Sequence, residues 1–139
     1  MFQPASNVKA LTVALALDRL GPSYRIPTVA KIPDPLPSNG VLEGDLLIVG
    51  QGDPTFAARF HGWDYGRSTE RLAQALVDAG LRRVTGDLLG DDSFYDAPPY
   101  GAGWAWEDLQ EYFGAEVSAL SVDDNVVDLR IRPGTSAGR

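Results

Sequence analysis

Gly44-Asp45-Leu46-Leu47-Ile48-Val49-Gly50-Gln51-Gly52-Asp53-Pro54-Thr55 sets four consecutive apolar residues between polar, glycine-bearing flanks. So short a run bounded by turn residues reads as a buried strand entering a turn. Residues 68–79 follow with helical spacing: Glu70 stands in the first turn, Leu72, Ala73, Leu76 and Val77 share one face, and Gly80 marks the stop. Residues 82–89 then read as a second strand. Strand, helix and strand in that order predict a right-handed crossover between parallel strands, and hence an α/β layer.

Upstream, a strand candidate at residues 24–32 runs into Pro33, Pro35, Pro37 and Ser38-Asn39-Gly40. These are loop residues, and the domain boundary is placed there, dividing the chain into 1–40 and 41–139. Earlier still, residues 6–20 predict a helix capped by Ser6 and stopped by Gly21-Pro22. Its Val8, Leu11, Val13, Leu15 and Leu17 leave little polar face, so it is expected to lie buried in a larger body. Downstream, residues 117–122 and 126–132 predict a hairpin around Asp123-Asp124-Asn125, the second arm alternating Val127, Leu129 and Ile131 with polar residues. No internal repeat or low-complexity segment is present. A helix within six residues of the start and a last strand running out into a loop make both ends read as cut rather than capped.

The 139 residues suffice for one domain. With 44% hydrophobic and 22% charged residues, the chain has the makings of a folded core. A net charge of −7 and a pI near 4.5 exclude an electrostatic grip on nucleic acid or anionic lipid. Without cysteine there is no disulfide framework, thiolate nucleophile or zinc ribbon, and the single His61 cannot build a multi-histidine metal site. No cofactor and no metal are expected. The first residues lack the basic and apolar regions of a signal peptide, and no apolar run is long enough to cross a bilayer.

The chemistry-bearing pattern is Pro4-Ala5-Ser6-Asn7-Val8-Lys9, an S-x-x-K that opens the apolar helix. Residues three apart on a helix share a face, which brings the Lys9 amine within reach of the Ser6 hydroxyl. A serine becomes a nucleophile when a neighbour takes its proton, and a lysine does so when burial or a nearby cation favours its neutral form. The helix start adds backbone N–H groups where an acyl transfer develops an oxyanion. Eight serines and two lysines give a chance S-x-x-K in about one chain in nine, so the bare motif is weak. Its alternative reading is a helix cap beside a solvated lysine.

The wider context carries a resemblance. Phe2-Gln3-Pro4-Ala5-Ser6-Asn7-Val8-Lys9-Ala10-Leu11-Thr12 resembles the active-site segment of the penicillin-recognising serine D,D-peptidases, whose signature is S-x-x-K, S-x-N and K-T-G. Leu20-Gly21-Pro22, the segment from Gly44 to Thr55, Gly86-Asp87, Asp91-Asp92-Ser93-Phe94, Gly103-Trp104-Ala105-Trp106-Glu107-Asp108-Leu109, Tyr112-Phe113-Gly114-Ala115 and the stretch from Val117 to Asn125 extend the likeness in order. They resemble the D-alanyl-D-alanine carboxypeptidase/endopeptidase family, the low-molecular-mass class C penicillin-binding group (peptidase family S13). The resemblance implies an α/β architecture: the first active-site helix of a peptidase domain (1–40), followed by part of an inserted mixed α/β domain (41–139). It implies Ser6 as nucleophile and Lys9 as general base, acting on peptidoglycan stem peptides that end in D-Ala-D-Ala. β-Lactams are the implied covalent inhibitors, and a periplasmic or extracytoplasmic site, with an export signal upstream of Met1, the implied location.

The chain also departs from that pattern. No serine is followed two places on by asparagine, and neither lysine begins K-T-G. The expectation is therefore a truncated chain, inactive alone; the alternative is a non-catalytic cell-wall-associated interaction domain or gene remnant. An isolated apolar helix at residues 6–20 is expected to leave hydrophobic surface exposed and to promote association.

Other patterns are weaker. Gly50-Gln51-Gly52 lacks the third glycine of a dinucleotide fingerprint and reads as a tight turn. His61 and Asp64 lack a nucleophile elbow. Asp91-Asp92 and Asp123-Asp124 lack calcium-loop spacing and read as turn or solvated acids. Trp104, Trp106 and Tyr112 suit a core or loop anchor, with sugar stacking as the rarer use.

Overall fold

The computed structural model describes residues 4–127, 129 and 131–134. Helix α1 (Val8–Leu20) is followed by β1 (Val29–Lys31), β2 (Val41–Leu42), β3 (Leu46–Val49), α2 (Glu70–Asp78), β4 (Arg83–Val84) and β5 (Leu88–Asp91). This is the mixed α/β arrangement the sequence predicts, a helix and then sheet strands. The main sheet has the order β1-β3-β5, with β1 antiparallel and β5 parallel to the central β3. A second, two-stranded parallel sheet joins β2 and β4. The sheet thus hydrogen-bonds β1, from before residue 41, to strands that follow it.

Strand β3 buries alternate residues. Leu46 and Ile48 face the core while Leu47 and Val49 are half-exposed, so the strand is covered fully on one side rather than on both. Leu42, Leu46 and Ile48 form the core cluster, packed by Leu72 and Leu76 of α2 and by Ile32, Leu36, Leu81, Val84 and Leu120. The apolar stripe of α2 thus faces the strands, as its spacing requires. Its end is a Schellman turn: Gly80, at φ 97°, donates to the Val77 carbonyl at 2.9 Å and Leu81 to the Leu76 carbonyl at 3.0 Å. Gly21, at φ 79°, ends α1 as its place in the sequence predicts.

The single strand expected over 82–89 is two short strands with different partners. Between them Gly86 passes so close to Gly44 and Asp45 that a Cβ has no room, and the Asp87 N–H donates to the Asp45 carboxylate at 2.8 Å. The chain thereby leaves the β2 side and joins β3.

The expected hairpin is not formed by the described residues of its two arms; Asp128 and Arg130 lie outside the described set. Asp123–Asn125 make a 3-10 turn with left-handed backbones at φ 50°, 60° and 55°. The backbone groups of the first arm are engaged elsewhere: the Ala119 carbonyl accepts from the Gly52 N–H at 2.7 Å, and the Ser118 hydroxyl closes a local turn on Leu120. A backbone held by such local bonds has no free edge for a strand partner.

Helix α1 contains no buried residue, and Leu11 is 73% exposed. The burial expected for it is therefore not supplied by the described residues. The accessible surface, 11248 Å², compares with about 7,000 Å² for a folded monomer of this mass.

Candidate active site

Ser6 lies in a 3-10 turn, Ala5–Asn7, that leads directly into α1. It is therefore not the helix cap the sequence suggests; Asn7 holds that position and its side chain makes no capping bond. Pro4 opens the turn, its carbonyl accepting from the Asn7 N–H at 3.0 Å. Ala5 adopts φ 45°, a left-handed backbone that costs an alanine of order 1 kcal/mol. Lys9, one turn into the helix, donates from Nζ to Ser6 Oγ at 3.2 Å. The spacing of three thus brings the two side chains together as the helical geometry predicts. Both are exposed.

His61 ends the 3-10 turn Ala58–His61 and shares a small pocket with Ser68, Asp53 and Arg71. Ser68 is buried at 3% exposure and its hydroxyl bonds to the Tyr65 carbonyl and Asp123, leaving His61 out of that arrangement. Among the described residues no group of three or more His, Asp or Glu is placed to hold a metal ion. Gly50 and Gly52 form a turn against Ala119, where a Cβ on Gly50 would strike the Ala119 carbonyl. Trp104 stacks on Phe113 at 6.3 Å across the loop, and Tyr112 meets its neighbour Phe113 edge-on at 5.7 Å while staying 75% exposed.

Asp123 has a larger part than a solvated turn acid. Its carboxylate accepts from the Ala58 N–H at 2.9 Å and from the Ser68 hydroxyl at 3.1 Å, while its own N–H donates to the Phe56 carbonyl at 2.7 Å. Asp124 beside it pairs with Arg59. Residues 56–68 and 123–124 are thus tied together across more than fifty positions of sequence. Nothing in the Asp-Asp-Asn pattern alone announces that partner.

A wider open groove of about 750 Å³ is lined by Asp92, Tyr100, Glu111, Glu116 and Asn125 among others. There Tyr100 is pushed above the usual phenol range, first by desolvation and then by the charge and hydrogen bond of Glu116.

Comparison with known proteins places these features in a family context. The family model described as the D-Ala-D-Ala carboxypeptidase 3 (S13) family matches residues 1–139. The D-alanyl-D-alanine carboxypeptidase of Actinomadura sp. (strain R39) is 32% identical over 136 residues, which cover 94% of this chain and 24% of that protein. The D-alanyl-D-alanine carboxypeptidase DacB of Haemophilus influenzae is 30% identical over 121 residues, 87% of this chain and 23% of that protein. The crystal structure of penicillin binding protein 4 (dacB) from Haemophilus influenzae superposes with a TM-score of 0.68 at 30% identity, covering 89% of this chain and 25% of that one. The chain therefore spans about a quarter of the length of these relatives.

Proposed function

Since its whole length matches one family model, the chain belongs to the D-Ala-D-Ala carboxypeptidase 3 (S13) family, and we propose that Ser6 and Lys9 are its nucleophile and general base. The observation that carries this reading is the 3.2 Å hydrogen bond from Lys9 Nζ to Ser6 Oγ at the entry to α1. In the reaction proposed, neutral Lys9 takes the hydroxyl proton as Ser6 Oγ attacks the carbonyl carbon between the two terminal D-alanines of a peptidoglycan stem peptide. The tetrahedral intermediate collapses to an acyl-enzyme on Ser6, and the proton passes to the departing D-alanine amine. Water, activated by the same base, then releases the shortened peptide and restores the hydroxyl. A β-lactam enters by the same attack, its amide opening onto Ser6. The substrate places the reaction outside the cytoplasmic membrane; among the described residues no helix is long and apolar enough to cross one.

We further assign residues 1–40 to the catalytic domain and 41–139 to the inserted domain, with β1 tying the one to the other. The chemistry of Ser6 needs groups that residues 1–139 do not supply: S-x-N and K-T-G are absent from them, and Lys9 stands in water. The 139 residues alone are thus inactive in this reading. The same absence favours a second reading, in which the chain serves as a cell-wall-associated interaction module and Ser6 as a turn residue. Intact-mass measurement after incubation with benzylpenicillin separates them. The 139-residue chain is expected to stay unmodified. Joined to the part of the Haemophilus relative that follows the matched region, it is expected to gain one adduct, lost in Ser6→Ala. A folded joined protein without an adduct supports the interaction module instead.

A further inference from the structure

Some 430 Å³ of cavity opens between the 3-10 turn Ala58–His61 and the turn Asp123–Asn125, lined by Ala58, Arg59, Trp63, Tyr65, Tyr112 and the Asp123-Asp124 pair. That volume is within the range of small-ligand sites. Three of its walls are large aromatic rings in contact with solvent: Trp63 is 69% exposed and Tyr112 75%, with Tyr65 less so. Each has a wide flat face and, in the indole N–H or phenol O–H, a polar edge. Between them stands the Arg59–Asp124 ion pair, both partners solvent-accessible. A guanidinium carries five N–H donors and a carboxylate about four acceptor positions, more than one ion pair consumes. Flat apolar faces beside paired donors and acceptors suit a ligand that is apolar on one side and rich in hydroxyls and amides at its edge, which is the chemistry of a pyranose ring.

Backbone strain marks the same place. Among the described residues, the non-glycine residues with left-handed backbones are Ala5, next to Ser6, and Trp63, Asp123, Asp124 and Asn125, of which three line this cavity. For a bulky residue such as Trp63, at φ 66°, that conformation is an outlier, and strain of this kind collects at ligand sites. The backbone N–H of Trp63 donates to the Ala58 carbonyl at 2.8 Å, which fixes the turn that carries the indole. Asp123 fixes the opposite wall through Ala58 and Ser68, and Phe113 meets the Tyr112 ring edge-on. The backbones that carry the two walls are therefore tied together before a ligand arrives, which limits the entropy lost on binding.

We propose that this cavity is a carbohydrate subsite for N-acetylated amino sugars, separate from Ser6, with Trp63 and Tyr112 as stacking platforms and the Arg59–Asp124 pair as the polar contact. The choice of sugar rests on the peptidase reading above, because such sugars form the glycan that carries the stem peptides; the aromatic cavity does not depend on it.

The test titrates the 139-residue chain with tetra-N-acetylchitotetraose and, separately, with peptide-free peptidoglycan glycan, by calorimetry and tryptophan fluorescence. Saturable binding is expected, weakened roughly tenfold or more by Trp63→Ala and by Tyr112→Ala, and unchanged by Ser6→Ala. Trp63→Gly separates binding from folding, since glycine accepts the left-handed backbone: its Tm is expected to equal or exceed the parent's while binding is lost. Tighter binding of the peptidoglycan glycan identifies the cell-wall polymer as the source, and equal binding identifies the shared sugar chemistry alone. Absence of saturable binding to both glycans, or binding insensitive to Trp63 and Tyr112, overturns the proposal. Ser6 acylation is read independently on the joined protein described above, so loss of sugar binding with acylation of that protein intact removes only this subsite, and sugar binding without acylation of the folded joined protein removes only the peptidase reading.

Discussion

Replacing Asp123 by alanine removes the carboxylate that receives the Ala58 N–H at 2.9 Å and the Ser68 hydroxyl at 3.1 Å. Ala58 is 2% exposed, so water cannot readily take the carboxylate's place, and an unsatisfied buried donor costs about 1–3 kcal/mol. Ser68 retains the Tyr65 carbonyl at 2.9 Å and adds little to the loss. The backbone at residue 123 sits at φ 50°, which aspartate tolerates better than alanine, and this adds about 1 kcal/mol. The sum is about 3 kcal/mol, or near 12 °C in Tm at roughly 4 °C per kcal/mol. Asp123→Asn keeps one carbonyl acceptor and the left-handed tolerance, and is expected to lose only about 1 kcal/mol. Asp124→Ala breaks a partly exposed ion pair and also puts alanine on a left-handed backbone at φ 60°, and is expected to cost about 1–2 kcal/mol. Urea unfolding followed by tryptophan fluorescence measures all three. Equal losses for Asp123→Ala and Asp124→Ala, or a loss below about 0.5 kcal/mol for Asp123→Ala, would show that the bonds across residues 58, 68 and 123 do not hold the two segments together.

Other consequences are as direct. Gly50→Ala drives a Cβ into the Ala119 carbonyl and should destabilise the chain by about 1–3 kcal/mol; a thermal shift within about 1 °C would place the two segments further apart than described. The exposed face of α1 should make the 139-residue chain associate and bind a hydrophobic dye, and Leu11→Glu with Leu15→Glu should suppress both. A monodisperse parent with low dye binding would contradict that. The Ser93 side chain and then its N–H hold the Asp91 carboxyl below the usual carboxylate range, helped by the charge of Lys31. A depressed carboxyl pKa stabilises the fold above its unfolded value, and the contribution fades as pH falls through the folded one. Ser93→Ala should therefore move the Asp91 titration upward in a carbon-detected NMR series, and an unmoved titration would assign the depression to another group.

The sequence made the local elements legible because each is written in neighbouring residues. Leu46 to Val49, the stripe of Leu72 and Leu76, and the stops at Gly21 and Gly80 all act within a turn or a strand, and the structure places them accordingly. The parallel partnership of β3 and β5 follows from their order around α2. What the sequence hides is long-range competition for backbone groups. Val117 to Val122 has strand composition, but Gly52 takes the Ala119 carbonyl and Ser118 folds locally, so composition loses to tertiary bonding. The splitting of residues 82–89 depends likewise on Gly44, which no local reading connects to Gly86. In the candidate site, the Ser6–Lys9 contact was legible because helical geometry alone creates it. The Trp63 cavity was not, since its walls come from residues 58–65, Tyr112 and residues 123–126, stretches separated by up to some sixty residues.

At the centre of the proposed function, the Ser6 hydroxyl carries the acyl group and Lys9 takes its proton. This chemistry is tested most directly by peptide mapping and acylation rates of the joined protein described above, treated with labelled penicillin as parent, Ser6→Ala and Lys9→Arg. The prediction is one label on the peptide containing Ser6 in the parent and none in Ser6→Ala. Lys9→Arg should react slower by roughly 10²–10⁴, because a guanidinium keeps its charge and cannot serve as base. A label on another residue, or an undiminished rate in Lys9→Arg, would contradict it.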